Sequence, residues 1–464
     1  MDKATQNRVF ISTAQKEFSM ENLDITQNDS NISLDEDNTK KTKAHKESAP
    51  GMELFISHRK SSSRSRKKNS FLRKIIKRNK RMIAIILAFL LVFAVFYIRG
   101  TIIRRIENEK KHQEALELSQ NSVSQTSKVL KVEFTYFTKE VTTVSDAIAD
   151  YMQADVSVTA KQIAKEHSND GVLYAQKPLE ISYNLVNTPT GCIVNSAKLE
   201  ISEYYDFSES VKYDFNITKK TVKVNNLKTN TNYYYRITIN FTNDTFSAHT
   251  GSFKTTQNPR ILSVDGIANV RDIGGFKGLN GKYVKQGLLF RGTELDGVVE
   301  PDYKITEKGI ATMLSTLKIK TEMDLRKTGE DMLGDTVTHK YYNSSMYKYI
   351  FDSDAVISTK NIFSDLANPA NYPVYMHCTY GSDRTGTVCF ILEALLGMSK
   401  NDIIKEYQLS AFCYDDFSLN EIKEFIAEFE TLEGETYTEK AENYLLSIGV
   451  TEKQIESIRN IFLG

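Results

Sequence analysis

The chain has 464 residues, a formal net charge of +1, four cysteines and no tryptophan. That length leaves room for two or three domains with linkers. The near-zero charge excludes a surface built to engage polyanions all over, and four scattered cysteines without CxxC spacing exclude a disulfide scaffold or a cysteine-rich metal centre.

Residues 1–81 are polar, rich in Ser, Asn, Asp and Lys, and are expected to form a disordered, basic cytoplasmic tail. Between Arg59 and Arg81 every charged residue is Lys or Arg. Such a run could bind nucleic acid, but the apolar stretch directly after it favours a membrane surface. Met82 to Ile98 is uninterrupted in its apolar character and bounded by Arg81 and Arg99. It lacks the polar face of a buried amphipathic helix, so the block 82–103 is expected to be one transmembrane helix. The n-region is too long for a cleaved signal peptide, and no small-residue cleavage site comes after it. The heavier basic flank lies on the N-terminal side. This predicts a single-pass protein of the cell membrane, N-terminus in the cytoplasm and the rest extracellular.

Residues 104–168 read as a helical stalk. Leu130, Phe134, Phe137, Val141, Val144, Ile148 and Tyr151 alternate at spacings of four and three, a heptad seam that could form a homodimer. The competing reading is a helix packed on its own chain. Residues 169–257 change character, with short β-branched and aromatic runs at Leu179–Tyr183, Lys198–Glu203, Thr221–Val224, Tyr233–Phe241 and Gly251–Thr255. These predict a β-sandwich. Leu227, Thr231 and Tyr233 resemble the fibronectin type III signature, with Thr229 where Pro is usual. The resemblance implies a tyrosine corner at Tyr233; the usual core Trp is absent.

The chemistry concentrates at His377-Cys378-Thr379-Tyr380-Gly381-Ser382-Asp383-Arg384-Thr385-Gly386. The apolar stretch Tyr372 to Met376 predicts a buried strand before it, and Thr387 to Leu396 a buried helix after it. A strand, a tight loop and a helix N-terminus aim backbone N–H groups at one spot, which is an anion site. Cys378 must attack as a thiolate, which the helix N-terminus and a nearby arginine favour. Arg384 offers planar, bidentate hydrogen bonds to phosphoryl oxygens. Gly381 lets the backbone turn without a Cβ clash. Asp383 is placed to protonate the leaving oxygen, and Thr385 to donate its hydroxyl to the departing sulfur.

His377 to Gly386 resembles the HCxxGxDRTG loop of bacterial tyrosine and lipid phosphatases, a branch of the cysteine-dependent phosphatase superfamily. The resemblance spans about Ile261 to Leu463. Asn269-Val270-Arg271-Asp272-Ile273-Gly274-Gly275 matches the entry motif. Leu289-Phe290-Arg291-Gly292 matches a segment in which Ser is usual in place of Gly292. Met323-Asp324-Leu325-Arg326 with Glu330 matches a strand end, and Tyr444 through Ile458 the C-terminal helices. It implies an α/β catalytic domain over 258–464, a central sheet flanked by helices, that hydrolyses phosphomonoesters without a cofactor or metal. Cys378, Arg384, Asp383 and Thr385 would be catalytic. His377, Thr379, Tyr380, Gly381, Ser382, Asp324, Arg326, Arg271 and Asp272 would bind substrate. Without tryptophan there can be no Trp-Pro-Asp loop to carry the general acid, which leaves Asp383 nearest and Asp324 and Asp272 in reserve.

Many relatives carry Lys before the loop aspartate, where this chain has Ser382. That favours a phosphotyrosine protein over a phosphoinositide as substrate, with dual specificity open. The alternatives are a phosphoinositide phosphatase, or a catalytically inactive receptor that binds phosphate or serves adhesion. Cys389 and Cys413 read as small core residues.

Overall fold

The computed structural model describes residues 131–134, 140–170, 172–186, 192–242, 246–256, 258–414, 417 and 419–464. The basic tail, the apolar run, residues 104–130 of the expected stalk, and Leu130 and Phe137 of its seam lie outside the described residues. Among the described residues no helix is long and apolar enough to cross a membrane.

The described part of the stalk region is not one helix. It opens with strands β1 (Lys131–Phe134) and β2 (Glu140–Val141), then helices α1 (Asp146–Gln153) and α2 (Ala160–Glu166). Two polar caps break the helical run. Ser145 Oγ accepts the Ile148 N–H, and Thr159 forms a reciprocal capping box with Gln162. Three of the described seam residues are buried inside the same chain. Val144, Ile148 and Tyr151 join the hydrophobic core of the C-terminal domain, with the Tyr151 ring edge-on to Phe412 at 5.6 Å. Phe134 instead stacks on His249 of the sandwich. Val144, Ile148 and Tyr151 therefore pack against their own chain, as the competing reading expects, and are not free to form a dimer seam.

The sandwich strands are β3 (Leu179–Val186), β4 (Val194–Ser202), β5 (Val211–Asp214), β6 (Thr221–Val224), β7 (Asn232–Phe241) and β8 (Phe246–Thr255). They form sheets ordered β1-β3-β6 and β2-β8-β7-β4-β5. The domain thus recruits β1 and β2 from before residue 169, and β5 is a strand the sequence reading missed. Alternation along β7 turns Tyr233, Tyr235, Ile237, Ile239 and Phe241 inward. The Tyr233 hydroxyl accepts the Lys228 N–H at 2.9 Å. Thr229 has a use for the N–H that proline lacks, donating it to Gln286 Oε1 at 2.9 Å while Gln286 Nε2 donates back to the Thr229 carbonyl at 2.8 Å. This pair joins the sandwich to the C-terminal domain.

The C-terminal domain, residues 258–464, is built on a mixed sheet. Its strands are β9 (Arg260–Ile261), β10 (Arg271–Asp272), β11 (Leu289–Gly292), β12 (Thr321–Asp324), β13 (Thr338–Tyr341) and β14 (Val374–His377), in the order β13-β12-β14-β11-β10-β9. β14 lies parallel between β11 and β12. Both its faces are covered, so every residue in it is buried, as its apolar run predicts. Helices α3 (Glu307–Ala311), α4 (Val356–Leu366), α5 (Arg384–Leu395), α6 (Lys400–Gln408), α7 (Asn420–Glu430), α8 (Tyr437–Ser447) and α9 (Glu452–Leu463) complete the domain. α5 is enclosed all round, with Thr385 to Leu395 buried.

Candidate active site

β14 ends at His377, and the loop from Cys378 to Asp383 leads directly into α5. Cys378 is 1% exposed, at the floor. Gly381 turns the loop with φ +70°, and a Cβ there would collide with the Gly292 carbonyl. Gly292 must itself be small, because a Cβ there would run into the Tyr375 hydroxyl. The departure from the usual serine at Gly292 is thus a packing requirement. Gly386, the last motif residue, lets Tyr407 approach, since a Cβ there would sit 2.5 Å from the Tyr407 ring.

The loop is braced from behind by buried ion pairs. The Glu406 carboxylate takes Arg271 Nε at 2.5 Å on one oxygen and an Arg291 nitrogen at 2.7 Å on the other. Arg291 then donates to the Gly381 carbonyl at 2.7 Å. Asn269 Nδ2 reaches the Tyr380 carbonyl at 3.0 Å, and its Oδ1 accepts from Arg271. Burial alone would favour the neutral acid, but Arg271 and Arg291 hold the Glu406 carboxyl below the usual range.

This changes the role of several expected substrate-binding residues. Arg271 is fully buried and spent on Glu406, so it holds the loop rather than a substrate. Asp272 accepts Arg260 at 2.8 Å and the N–H groups of Gly274 and Gly287, which makes it a turn former. Arg326 is enclosed by Asp324, Asp296 and Glu294 and is likewise spent. Neither reserve acid is free, since Asp272 and Asp324 are each committed to an arginine. Arg384 contrasts with all of these. It is half-buried at the start of α5, and among the described residues its guanidinium has no carboxylate partner.

His377 lies behind Cys378. Its Nε2 is 2.9 Å from Glu322 Oε1 and its Nδ1 is 3.1 Å from the Cys378 carbonyl. Burial opposes a charged imidazole, but Asp324 and Glu322 outweigh it and raise the His377 pKa. It orients the loop and is closed off from substrate, fully buried. Thr379 and Ser382 are buried within the loop, Thr379 giving its carbonyl to the Glu294 N–H at 3.0 Å. Tyr380 is 37% exposed at the rim, with Tyr303 and Tyr414 edge-on at 6.0 and 5.5 Å. Its hydroxyl is 3.4 Å from Glu300. Thr385 is fully buried and its hydroxyl has no hydrogen-bond partner among the described residues. The Asp383 carboxylate accepts the Tyr347 hydroxyl. Cys389 is a core residue as expected, burial pushing its thiol up to about 12.

Residues 262–464 match the family described as "Tyrosine phosphatase family". A Cupriavidus necator protein named "Putative tyrosine-protein phosphatase" is 25% identical over 182 residues, covering 33% of this chain and 64% of that protein. The chain therefore spans somewhat less than two thirds of that relative's length. Solved structures of the catalytic core of Siw14 are also similar. A citrate complex of the core domain of this S. cerevisiae PP-IP phosphatase is 16% identical, covering 30% of this chain and 78% of that one, with a TM-score of 0.23. A second Siw14 core is 17% identical, covering 31% and 87%, with a TM-score of 0.22.

The motif residues Cys378, Asp383, Arg384 and Thr385 come together by adjacency alone. Asn269 and Arg291 brace the loop from motifs the sequence analysis quoted without giving them a role. Glu406 and Tyr347 come from distant segments with no pattern to mark them.

Proposed function

We propose that the catalytic domain hydrolyses phosphomonoesters through a cysteinyl-phosphate, with phosphotyrosine protein as the preferred substrate. The observation that carries this is the placement of Cys378 directly after β14 and of Arg384, whose guanidinium has no carboxylate partner among the described residues, at the start of α5. A phosphate dianion on the loop N–H groups supplies the missing counter-charge. Cys378 Sγ attacks phosphorus, the S–P bond forms, and the P–O bond to the leaving group breaks. Asp383 gives its proton to the departing oxygen. Water then attacks phosphorus, passes a proton to Asp383, and expels the sulfur, with the Thr385 hydroxyl donating to it. Arg384 holds the equatorial oxygens in both steps.

The rim supports the aryl preference. Tyr380, Tyr303 and Tyr414 offer ring faces and edges to an aromatic ester. A second phosphate would need extra cations there, and Arg326, Lys327 and Lys348 are the candidates. Arg326 is spent on three carboxylates, Lys348 pairs with Glu424 at 2.7 Å, and Glu300 adds negative charge beside Tyr380, which leaves Lys327, exposed and without an ion pair among the described residues. Release of phosphate from para-nitrophenyl phosphate, insensitive to chelator and abolished by Cys378→Ser, tests the chemistry. Catalytic efficiency on a phosphotyrosine peptide against soluble phosphoinositides tests the substrate; a clear inositide preference overturns it.

The chain also reads as a membrane-anchored enzyme, with Met82–Ile98 as the single span and the catalytic domain outside. That placement rests on the charge-free run and its basic N-terminal flank.

A further inference from the structure

Asp383 occupies the cap position of α5. An aspartate there ordinarily turns its carboxylate onto the N–H of the second or third helical residue. Asp383 makes no such bond. Its carboxylate accepts the Tyr347 hydroxyl instead. Tyr347 opens a short 3₁₀ turn, Tyr347–Phe351, between β13 and α4. Its φ is +53°, a left-handed backbone that a bulky side chain rarely adopts.

Several contacts hold it there. The Tyr347 N–H donates to Thr387 Oγ1 at 2.8 Å, and that hydroxyl donates to the Asp383 carbonyl at 2.8 Å. The ring lies in the catalytic core. Thr387 therefore ties the backbone of Tyr347 to the backbone of Asp383, while the phenol ties their side chains. Burial, with Tyr407 and Asp383 alongside, pushes the Tyr347 pKa up, so the hydroxyl remains a donor across the working pH range.

We propose that Tyr347 is the positioning residue of the proton-transfer step. It draws the Asp383 carboxyl away from the helix N–H groups and occupies Oδ1 as a permanent donor. The transferable proton is thereby assigned to Oδ2. In the first step that proton moves from Oδ2 to the leaving oxygen as the S–P bond forms and the P–O bond breaks. In the second, Oδ2 takes a proton from the attacking water as the S–P bond breaks. Tyr347 itself exchanges no proton. The inference rests on the reading of Asp383 as the general acid.

The test is Tyr347→Phe, which keeps the ring, in the full chain, assayed on aryl phosphates of graded leaving-group acidity. The expected result is a kcat loss of about tenfold on phosphotyrosine peptide, KM little changed, and a much smaller loss on the most acidic phenols. In an Asp383→Asn background the same substitution should add no further loss. Equal loss on every leaving group, or additive losses in the double variant, overturns the proposal. Thr387→Val, which removes the backbone tie, should show the same leaving-group signature and serves if Tyr347→Phe fails to fold. If Asp383→Asn alone shows no leaving-group dependence, the general-acid reading falls and this inference with it. If it shows that dependence and Tyr347→Phe does not, only the positioning role is lost.

Discussion

At the scale of single residues the site is governed by which charges are already neutralised. Arg260, Arg271, Arg291 and Arg326 each meet a carboxylate, and Arg384 meets none among the described residues. An arginine that is to hold phosphate must be left this way, because a guanidinium already paired with carboxylates has little attraction left for an anion. The same accounting applies to the imidazoles. Glu322 bridges His377 at 2.9 Å and His339 at 3.0 Å; Asp324 with Glu322 raises the His377 pKa, Glu322 raises that of His339, and the two imidazoles hold the Glu322 carboxyl down against burial. A raised histidine stabilises the fold fully below its unfolded pKa, near 6.5, and loses that contribution as pH rises through the folded value. A lowered glutamate contributes above its unfolded pKa, near 4.3, and loses it as pH falls through the folded value. The cluster therefore stabilises most between those limits. Melting temperature followed by calorimetry should fall as pH rises past neutral, and Glu322→Gln should flatten that fall. The bond to His377 is worth about 1.5–3 kcal/mol, as for other charged hydrogen bonds. A variant with the wild-type slope would remove Glu322 from the account.

At the scale of elements the decisive packing is that of α1 and α2 on the catalytic domain. The last carbonyls of a helix lack intrahelical partners. At the C-terminal end of α1 the carbonyls of Tyr151, Met152 and the capping Ala154 receive Lys405 Nζ at 3.3, 3.0 and 2.6 Å. A cation at a helix C-terminus is also favoured by the helix dipole. Gln408 Oε1 meets the Ala160 N–H at 3.1 Å at the start of α2. Lys405→Met should cost roughly 1–3 kcal/mol locally, within the range for charged hydrogen bonds. Amide hydrogen exchange over residues 146–166 should accelerate while the protection of β14 and α5 holds. Unchanged exchange would mean that the apolar face of α1 is sufficient by itself.

At the scale of the whole molecule, the sandwich and the catalytic domain are joined by polar contacts in which Thr229, Gln286, Arg260 and Asn226 take part. The proposed anchor and its orientation rest on the charge-free run Met82–Ile98 and its basic N-terminal flank. Protease added to intact cells should release a fragment with phosphatase activity and spare a tag at the N-terminus. Digestion of the N-terminal tag alone would reverse the topology.

The catalytic loop was legible in sequence because its chemistry is local: Cys378, Gly381, Asp383, Arg384 and Thr385 are near neighbours on one turn, and a strand before and a helix after are enough to aim them. The β-sandwich strands were legible because alternation comes from the pleat. The fate of Arg271, Asp272, Asp324 and Arg326 was not, since sequence supplies a charge but not its partner. Glu406 pairs with Arg271 across 135 positions, and the Tyr347 hydroxyl reaches Asp383 across 36. Nor could the sequence separate a dimer seam from a face buried at home, because Val144, Ile148 and Tyr151 make the same apolar period against either surface. Sequence determined which groups can do the chemistry. Tertiary structure decided which of them are left free to do it, because burial forces each charge to find a partner and only the fold sets who that partner is.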